Sequence, residues 1–304
     1  METDWISIAI ASAGCLGLVN IFDSHLISRR MPGIRVYLLV VSPIVLLSAS
    51  IFFFIFPLPQ GLSAWQILAA VGTGIIRASS VVILLYSLKK EEVSRAVPIV
   101  SIYPVFVAIM AVPLLNETLS YLQWIAIAIV VAGVIIISFK RDTGGIRHKR
   151  LGGIFFLLLL SSLLLATADV TGKYVLSYIS FWNMYWINIT TMVAIFLIIS
   201  LRRSVIGELL AIKNPRSTLA LVFFNEMMVV IATLTMFWSM QQGQVSMVST
   251  ITSTRPVFVV IYAFILSRFL PGTLMEGDVG RRELVIRLLA AAMLAGGIAI
   301  IYIA

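Results

Sequence analysis

Apolar residues in this chain gather into long, nearly continuous runs separated by short polar or charged knots. A helix rising about 1.5 Å per residue needs roughly 20 mostly apolar residues to cross a ~30 Å hydrocarbon core. On that rule the pattern predicts ten spans, near 5–27, 36–56, 64–88, 94–115, 119–139, 152–175, 182–201, 217–241, 245–267 and 284–303. The third and fourth are parted by Lys89, Lys90, Glu91 and Glu92, the eighth and ninth by Gln241, Gln242, Gly243 and Gln244. The leading Met1-Glu2-Thr3-Asp4 carries no positive charge and the run behind it is long, so the first span is expected to be retained rather than cleaved as a signal peptide. The expected fold class is an all-α polytopic membrane protein with ten transmembrane helices.

Lys and Arg are held on the cytoplasmic side of short loops. Connection 1–2 has Arg29, Arg30 and Arg35; connection 3–4 has Lys89, Lys90 and Arg95. Connection 5–6 has Lys140, Arg141, Arg147, Lys149 and Arg150, and connection 7–8 has Arg202, Arg203, Lys213 and Arg216. Connection 9–10 adds Arg268, Arg281, Arg282 and Arg287, which brings 19 of the 22 basic residues to one side. Connections 2–3, 4–5 and 8–9 have none, and only Lys173, near the end of span 6, approaches the other side. Both termini are therefore expected on the non-cytoplasmic face of the cell (inner) membrane.

Composition agrees with the pattern. Of 304 residues 61% are apolar and 12% charged, against roughly 45–50% and 25% in soluble domains. The lone Cys15 excludes an internal disulfide and a Cys-based metal cluster, and His25 and His148 are too few for the usual zinc sites. The net charge of +9 lies in one-sided loops, so nucleic acid is not an expected partner. No cofactor or metal is expected.

The chain also repeats itself. Ser87–Val107 laid on Ser239–Val259, an offset of 152, matches at nine of 21 positions, including Pro104-Val105-Phe106-Val107 on Pro256-Val257-Phe258-Val259. Ala126, Ala128, Gly133, Ile136 and Ile137 match Ala290, Ala292, Gly297, Ile300 and Ile301 at an offset of 164, which implies a 12-residue insertion around Pro271–Glu283. This predicts a first five-helix repeat over 1–139, a basic linker over 140–151 and a second five-helix repeat over 152–304. Five is odd, so equivalent helices should cross in opposite directions, as the alternation of basic and bare connections also requires. Such inverted repeats are a recurrent transporter architecture, with the substrate near the midplane between the halves.

These residues resemble the EamA-type transporters of the drug/metabolite transporter superfamily. The likeness rests on the two Pro-Val-Phe-Val elements, on Glu117-Thr118-Leu119, similar to that family's Glu-x-Leu turn before helix 5, and on Gly133 in helix 5. It covers essentially the whole chain. The second copy departs from it, reading Ser267-Arg268-Phe269-Leu270-Pro271 without the acidic turn residue. Many members of the family keep their termini in the cytoplasm, opposite to the orientation these charges predict. The resemblance implies export or exchange of small organic metabolites and does not choose among them.

Ionisable residues near the centre of a membrane helix cost at least ~2.5 kcal/mol each, so they face protein or water and mark function. Arg77 is 12 residues from Lys89, roughly 18 Å from that interface. Glu226 is 10 residues past Arg216, about 15 Å in, and Arg255 is 11 past Gln244, about 16 Å in. One reading pairs Arg77 with Glu226 as a packing ion pair and leaves Arg255 unmatched; the other pairs Arg255 with Glu226 and leaves Arg77 as the anion site. The first is preferred. Arg255 precedes Pro256, its repeat equivalent is Tyr103 before Pro104, and a guanidinium holds carboxylate or phosphate with two parallel hydrogen bonds. Around it the expected substrate-binding residues are Arg77, Glu226, Asn225, Tyr103, Thr73 and the hydroxyls Thr252 and Ser253, whose run from Ser246 to Thr254 is expected to line a polar cavity. Hydroxyls of this kind also serve close helix packing. Thr73, Arg77 and Ser80 share one face of span 3.

Asp169 and Lys173 stand one turn apart and are expected to pair with each other. Asp23 and His25 read as a solvated end of span 1, and His148 as a surface residue. Gly133 and Gly296-Gly297 read as close packing, between spans or between protomers of a homodimer. Glu226, with Asp169 as runner-up, is the candidate proton-coupling carboxylate.

No Gly-x-x-x-x-Gly-Lys-Ser/Thr loop is present, so nucleotide-driven pumping is excluded in favour of a secondary carrier of a small, anionic or zwitterionic solute working by alternating access. A membrane enzyme would gather paired carboxylates or a nucleophile and base at one interface, whereas these ionisable groups are dispersed in depth. A lipid flippase on the same fold is the alternative function.

Overall fold

The computed structural model describes residues 4–90, 99–100, 102–138, 151–269 and 281–303. The first turns of the expected fourth span, the basic linker up to Arg150 and most of the expected insertion after Pro271 lie outside the described residues. Helix α1 (Asp4–His25) runs into a π-helical turn (Leu26–Arg30), followed by α2 (Ile34–Ile55), α3 (Ala64–Lys90), α4 (Tyr103–Leu115) and α5 (Tyr121–Ser138). Then come α6 (Leu151–Leu176), α7 (Phe181–Ser200), α8 (Pro215–Gln242), α9 (Val245–Thr252), α10 (Arg255–Phe269) and α11 (Arg281–Ile303), with a short helix at Arg203–Glu208 before α8. No strand occurs among the described residues. The apolar run at 245–267 is therefore two helices, because Ser253 and Thr254 turn out of the helix just before Pro256.

Among the described residues seven segments are long and apolar enough to cross a membrane: Asp4–Arg30, Ile34–Ile55, Ala64–Ser87, Gly153–Leu176, Phe181–Ser200, Pro215–Gln242 and Val245–Tyr262. Three shorter apolar helices, Tyr103–Leu115, Tyr121–Ile136 and Leu289–Ile303, accompany them. Helices suit such a sequence because lipid offers no hydrogen bonds, so each backbone group must be satisfied within its own segment. Hydroxyls in these helices obey the same rule: Ser42 donates to the Leu38 carbonyl and Thr191 to that of Ile187. Large apolar side chains such as Phe54, Leu68, Phe156 and Ile198 stay exposed on the outside, as lipid contact requires.

Packing is pairwise. Helix α3 lies along α6 and α1 along α8, α2 against α7, α5 against α11, α4 against α6, and α1 against both α9 and α10. Small residues set the closest approaches, as expected where lipid gives no hydrophobic drive between helices. A Cβ on Gly17 of α1 would stand 2.7 Å from Phe258 Cβ of α10, and one on Gly74 of α3 would stand 2.8 Å from Thr191 Cβ of α7. Gly133 faces Leu294 and Gly297 faces Val130, which puts these two glycines between α5 and α11 of one chain.

The connections meet at two ends. At one, the Lys213 amide donates to the Arg30 carbonyl and joins connections 1–2 and 7–8, both rich in Arg. At the other, Asn183 Nδ2 donates to the carbonyls of Phe56 and Pro57, tying α7 to connection 2–3. Gln244 Nε2 donates to the Thr118 carbonyl, and Lys173 Nζ reaches the carbonyls of Met240 and Gly243. Those connections carry no Lys or Arg.

Gly296 and Gly297 offer a matched test of the α5–α11 contact. A Cβ on Gly297 would lie 2.5 Å from Val130 Cγ2, whereas one on Gly296 meets nothing within 4 Å. Gly297→Val is expected to destabilise the protein by about 1–3 kcal/mol through overpacking, and Gly296→Val to leave it close to wild type. Thermal denaturation of both variants in one detergent compares them directly.

Candidate functional site

Proline dictates where the interior becomes polar. Pro104 and Pro256 each sit second in their helix, and neither can donate to the carbonyl four residues back. For Pro256 that carbonyl belongs to Thr252, and Arg255 Nε supplies the missing donor at 3.0 Å. For Pro104 it belongs to Val100, which Ser162 Oγ of α6 approaches at 3.4 Å while making its shorter bond, 3.0 Å, to the Leu158 carbonyl of its own helix. The two breaks also touch: Tyr103 Oη donates to the Ser249 carbonyl at 2.9 Å and lies 2.9 Å from the Thr252 hydroxyl. The start of α4 thus meets α9 just before the break that leads into α10.

Beside the breaks runs a charged chain. Arg77 Nη2 of α3 binds Asp169 Oδ1 of α6 at 2.8 Å, and the other carboxylate oxygen accepts from Ser249 Oγ of α9 at 3.1 Å. The Arg77 guanidinium carbon stands 5.4 Å over the Phe237 ring of α8, and Arg77 Nε is buried without a hydrogen-bond partner among the described residues. Four helices are thereby tied to one guanidinium.

Several expected pairings are corrected. Arg77 pairs with Asp169 and not with Glu226, because α3 lies along α6, while Glu226 on α8 faces α1 and α2. Arg255 does not pair with Glu226 either: among the described residues it has no carboxylate within ion-pair distance. Lys173 does not pair with Asp169; its ammonium donates to the carbonyls of Met240 at 2.6 Å and Gly243 at 2.8 Å, at the C-terminal end of α8.

The hydroxyl run of α9 is buried throughout. Thr250 and Ser253 donate to carbonyls of their own helix, as does Thr73 of α3, so these groups are internally satisfied. Ser80 bonds Ser161 and locks α3 to α6. The structure thus brings Arg77, Tyr103, Thr252 and Arg255 together with Asp169 and Ser249.

Glu226 and Asn225 form a second cluster with two residues that sequence reasoning left out. Tyr37 Oη of α2 donates to Asp23 Oδ1 of α1 at 2.5 Å and lies 3.5 Å from Glu226 Oε1. Asn225 Nδ2 donates to Asp23 at 2.8 Å and to Glu226 at 3.1 Å. Asp23 was expected to be a solvated helix end; instead its carboxylate faces inward. The available signal for Tyr37 was a phenol inside an otherwise apolar run. No group of three or more metal-ligating side chains occurs among the described residues.

The family model described as "EamA-like transporter family" matches residues 3–139 and 152–274. A solved crystal structure is similar over 98% of this chain and 95% of its own, with a TM-score of 0.71 at 14% sequence identity. That likeness concerns the fold alone. None of the curated proteins compared matches this chain.

The Arg77–Asp169 pair makes a sharp stability prediction, because both side chains are largely buried, at 13% and 3% exposure. Asp169→Asn leaves a buried guanidinium unpaired and is expected to destabilise the fold by about 3–5 kcal/mol. The double change Arg77→Met with Asp169→Leu should recover most of that loss in thermal denaturation, since the unpaired charge has gone.

Proposed function

The chain belongs to the EamA-like transporter family, and from that premise we propose that it is a secondary carrier for a small anionic or zwitterionic metabolite, held at the junction of α4, α9 and α10. It is a multi-pass membrane protein of apolar helices. The observation that carries the proposal is Arg255: a guanidinium within the membrane-spanning region, committed through Nε to one carbonyl and without a carboxylate partner among the described residues. Arg77 is neutralised by Asp169, so the residual positive potential belongs to Arg255, with Arg77 as helper. A planar guanidinium beside a broken helix suits bidentate binding of carboxylate or phosphate. Tyr103, Thr252 and Ser253 form the polar surround in this reading, Thr73 supports Arg77 from its own helix, and Asn225 with Glu226 lies on the α8 side.

Alternating access in this reading comes from two inverted five-helix halves, 1–139 and 152–304, joined by the linker 140–151. The family model matches the chain in two segments that fall within these halves. Exchanging each helix with its counterpart in the other half turns α1–α8 into α6–α3 and α1–α10 into α6–α4, both of which are packed pairs. The same exchange returns α2–α7 and α5–α11 to themselves, which is the behaviour of a pseudo-twofold. Glu226 is the coupling carboxylate in this scheme, since Asp169 is held by Arg77.

The orientation that goes with it puts both termini outside the cytoplasm of the cell membrane, with the Arg-rich connections inside. Single cysteines placed in 140–151 of a Cys15→Ser background are expected to resist membrane-impermeant maleimide in intact cells and to react in inverted vesicles. Reaction from outside would reverse the orientation.

Arg255→Gln is expected to lower uptake of carboxylate and phosphate metabolites into proteoliposomes by at least about 100-fold while the protein still assembles, as the loss of a hydrogen-bonded charge from a buried site implies. Arg255→Lys should retain only part of the activity, for want of the planar fork. Undiminished uptake by Arg255→Gln, or movement of fluorescent lipid rather than soluble solute, would overturn the assignment.

A further inference from the structure

Helices α1, α2 and α8 converge on Asp23, Tyr37 and Glu226, and exposure falls along that series. Asp23 is partly exposed, Tyr37 is 6% exposed and Glu226 3%. Tyr37 Oη touches both carboxylates, at 2.5 Å and 3.5 Å, so one hydroxyl bridges a part-buried acid and a buried one. Asn225 Nδ2 donates to both as well, which fixes its amide: turned over, its carbonyl would oppose two carboxylates. Its own Oδ1 is consequently left buried with no partner among the described residues. One hydroxyl hydrogen and two amide hydrogens are thus shared between Asp23 Oδ1 and Glu226 Oε1, and the Asn225 carbonyl has no donor among the described residues.

No Lys or Arg among the described residues lies within ion-pair distance of either acid. The other titratable groups near the pair are Tyr185 from α7, which bonds Ser48 of α2, and, beyond Asp23, His25 with Arg30 and Arg29 of the turn below α1. The arrangement lacks a donor, and a proton on one acid supplies it.

We propose that Asp23, Tyr37 and Glu226 form a proton relay, with Asp23 as the port at the Arg-rich end, Tyr37 as the bridge and Glu226 as the store. In the transfer, the Asp23 carboxylic acid gives its proton to Tyr37 Oη while the Tyr37 O–H passes its own to the Glu226 carboxylate. Asp23 becomes the carboxylate, Glu226 the acid, and the phenol is regenerated. A small rotation of Tyr37 that shortens the 3.5 Å contact is the motion required. Use of this proton to drive solute movement rests on the carrier reading above; the relay itself does not.

Infrared difference spectra of the full chain in lipid nanodiscs, recorded after photorelease of protons, read the relay without any solute. A carboxylic-acid carbonyl band should rise in the wild type and be absent in Glu226→Gln. Tyr37→Phe, which keeps the ring and removes the bridge, should reach the same amplitude about 100-fold more slowly, the low end of what a positioned proton-transfer group contributes. Asp23→Asn should slow it similarly; if that variant does not assemble, Tyr37→Phe decides alone. An unchanged rate in Tyr37→Phe, a band that survives Glu226→Gln, or a band abolished by added NaCl would overturn the proposal, the last because a metal cation would then occupy the acids. Spectra that behave as expected, in a protein that moves none of the tested metabolites, would support the relay and overturn the carrier.

Discussion

Lipid cannot hydrogen-bond, and Pro104 and Pro256, at the starts of α4 and α10, each lack the N–H that a continuous helix would aim at the carbonyl four residues back. The interior of this protein is organised around repairing that deficit. Arg255 satisfies the carbonyl stranded by Pro256, and the Ser162 hydroxyl lies against the one stranded by Pro104. Because the α9–α10 repair uses a guanidinium rather than a hydroxyl, it also places a positive charge where the helix is interrupted. The backbone defect and the candidate binding charge are one feature.

Charge is then partitioned by helix adjacency. Arg77 faces α6 and finds Asp169, which in turn holds Ser249 of the broken span. Glu226 faces α1 and α2 and finds only other oxygen-bearing groups and an amide. The deep acids and bases are therefore sorted onto different helices rather than cancelled. One pair is neutral, one guanidinium is open, and two carboxylates share a tyrosine. This separation gives the protein a positively charged region and an acidic region on different helices, an arrangement suited to handling a solute and a proton by distinct groups.

Much of the helical layout was legible because hydropathy and the span-length rule report burial in lipid directly, as α2, α3, α7 and α8 illustrate. The break at Ser253–Thr254 was not placed by hydropathy, since those residues sit within a run that is apolar on average; Pro256 was the only local clue. Depth was readable from spacing, azimuth was not. Arg77, Glu226 and Arg255 were each identified as deep, yet the partner of Arg77 depended on which helix its face met. Lys173 was assigned to Asp169 because one-turn spacing favours it, but three nearby carbonyls at the end of α8 outcompete a carboxylate already held by Arg77. Asp23 was discounted for its closeness to the interface, a judgement of depth that took no account of the direction in which its side chain points.

The turn between α8 and α9 is clamped electrostatically from both sides. Lys173 binds carbonyls at the negative end of α8, and the Glu117 carboxylate accepts from the amides of Val245 and Ser246 and from the Ser246 hydroxyl at the positive end of α9. Trp5 closes over Gly243 between them. With its dipoles matched and its backbone roofed, this corner behaves as a rivet rather than an elbow: α8 and α9 are one mechanical part. Only Ser253 and Thr254 separate that part from α10, so in the carrier reading a hinge between the two would fall beside Arg255.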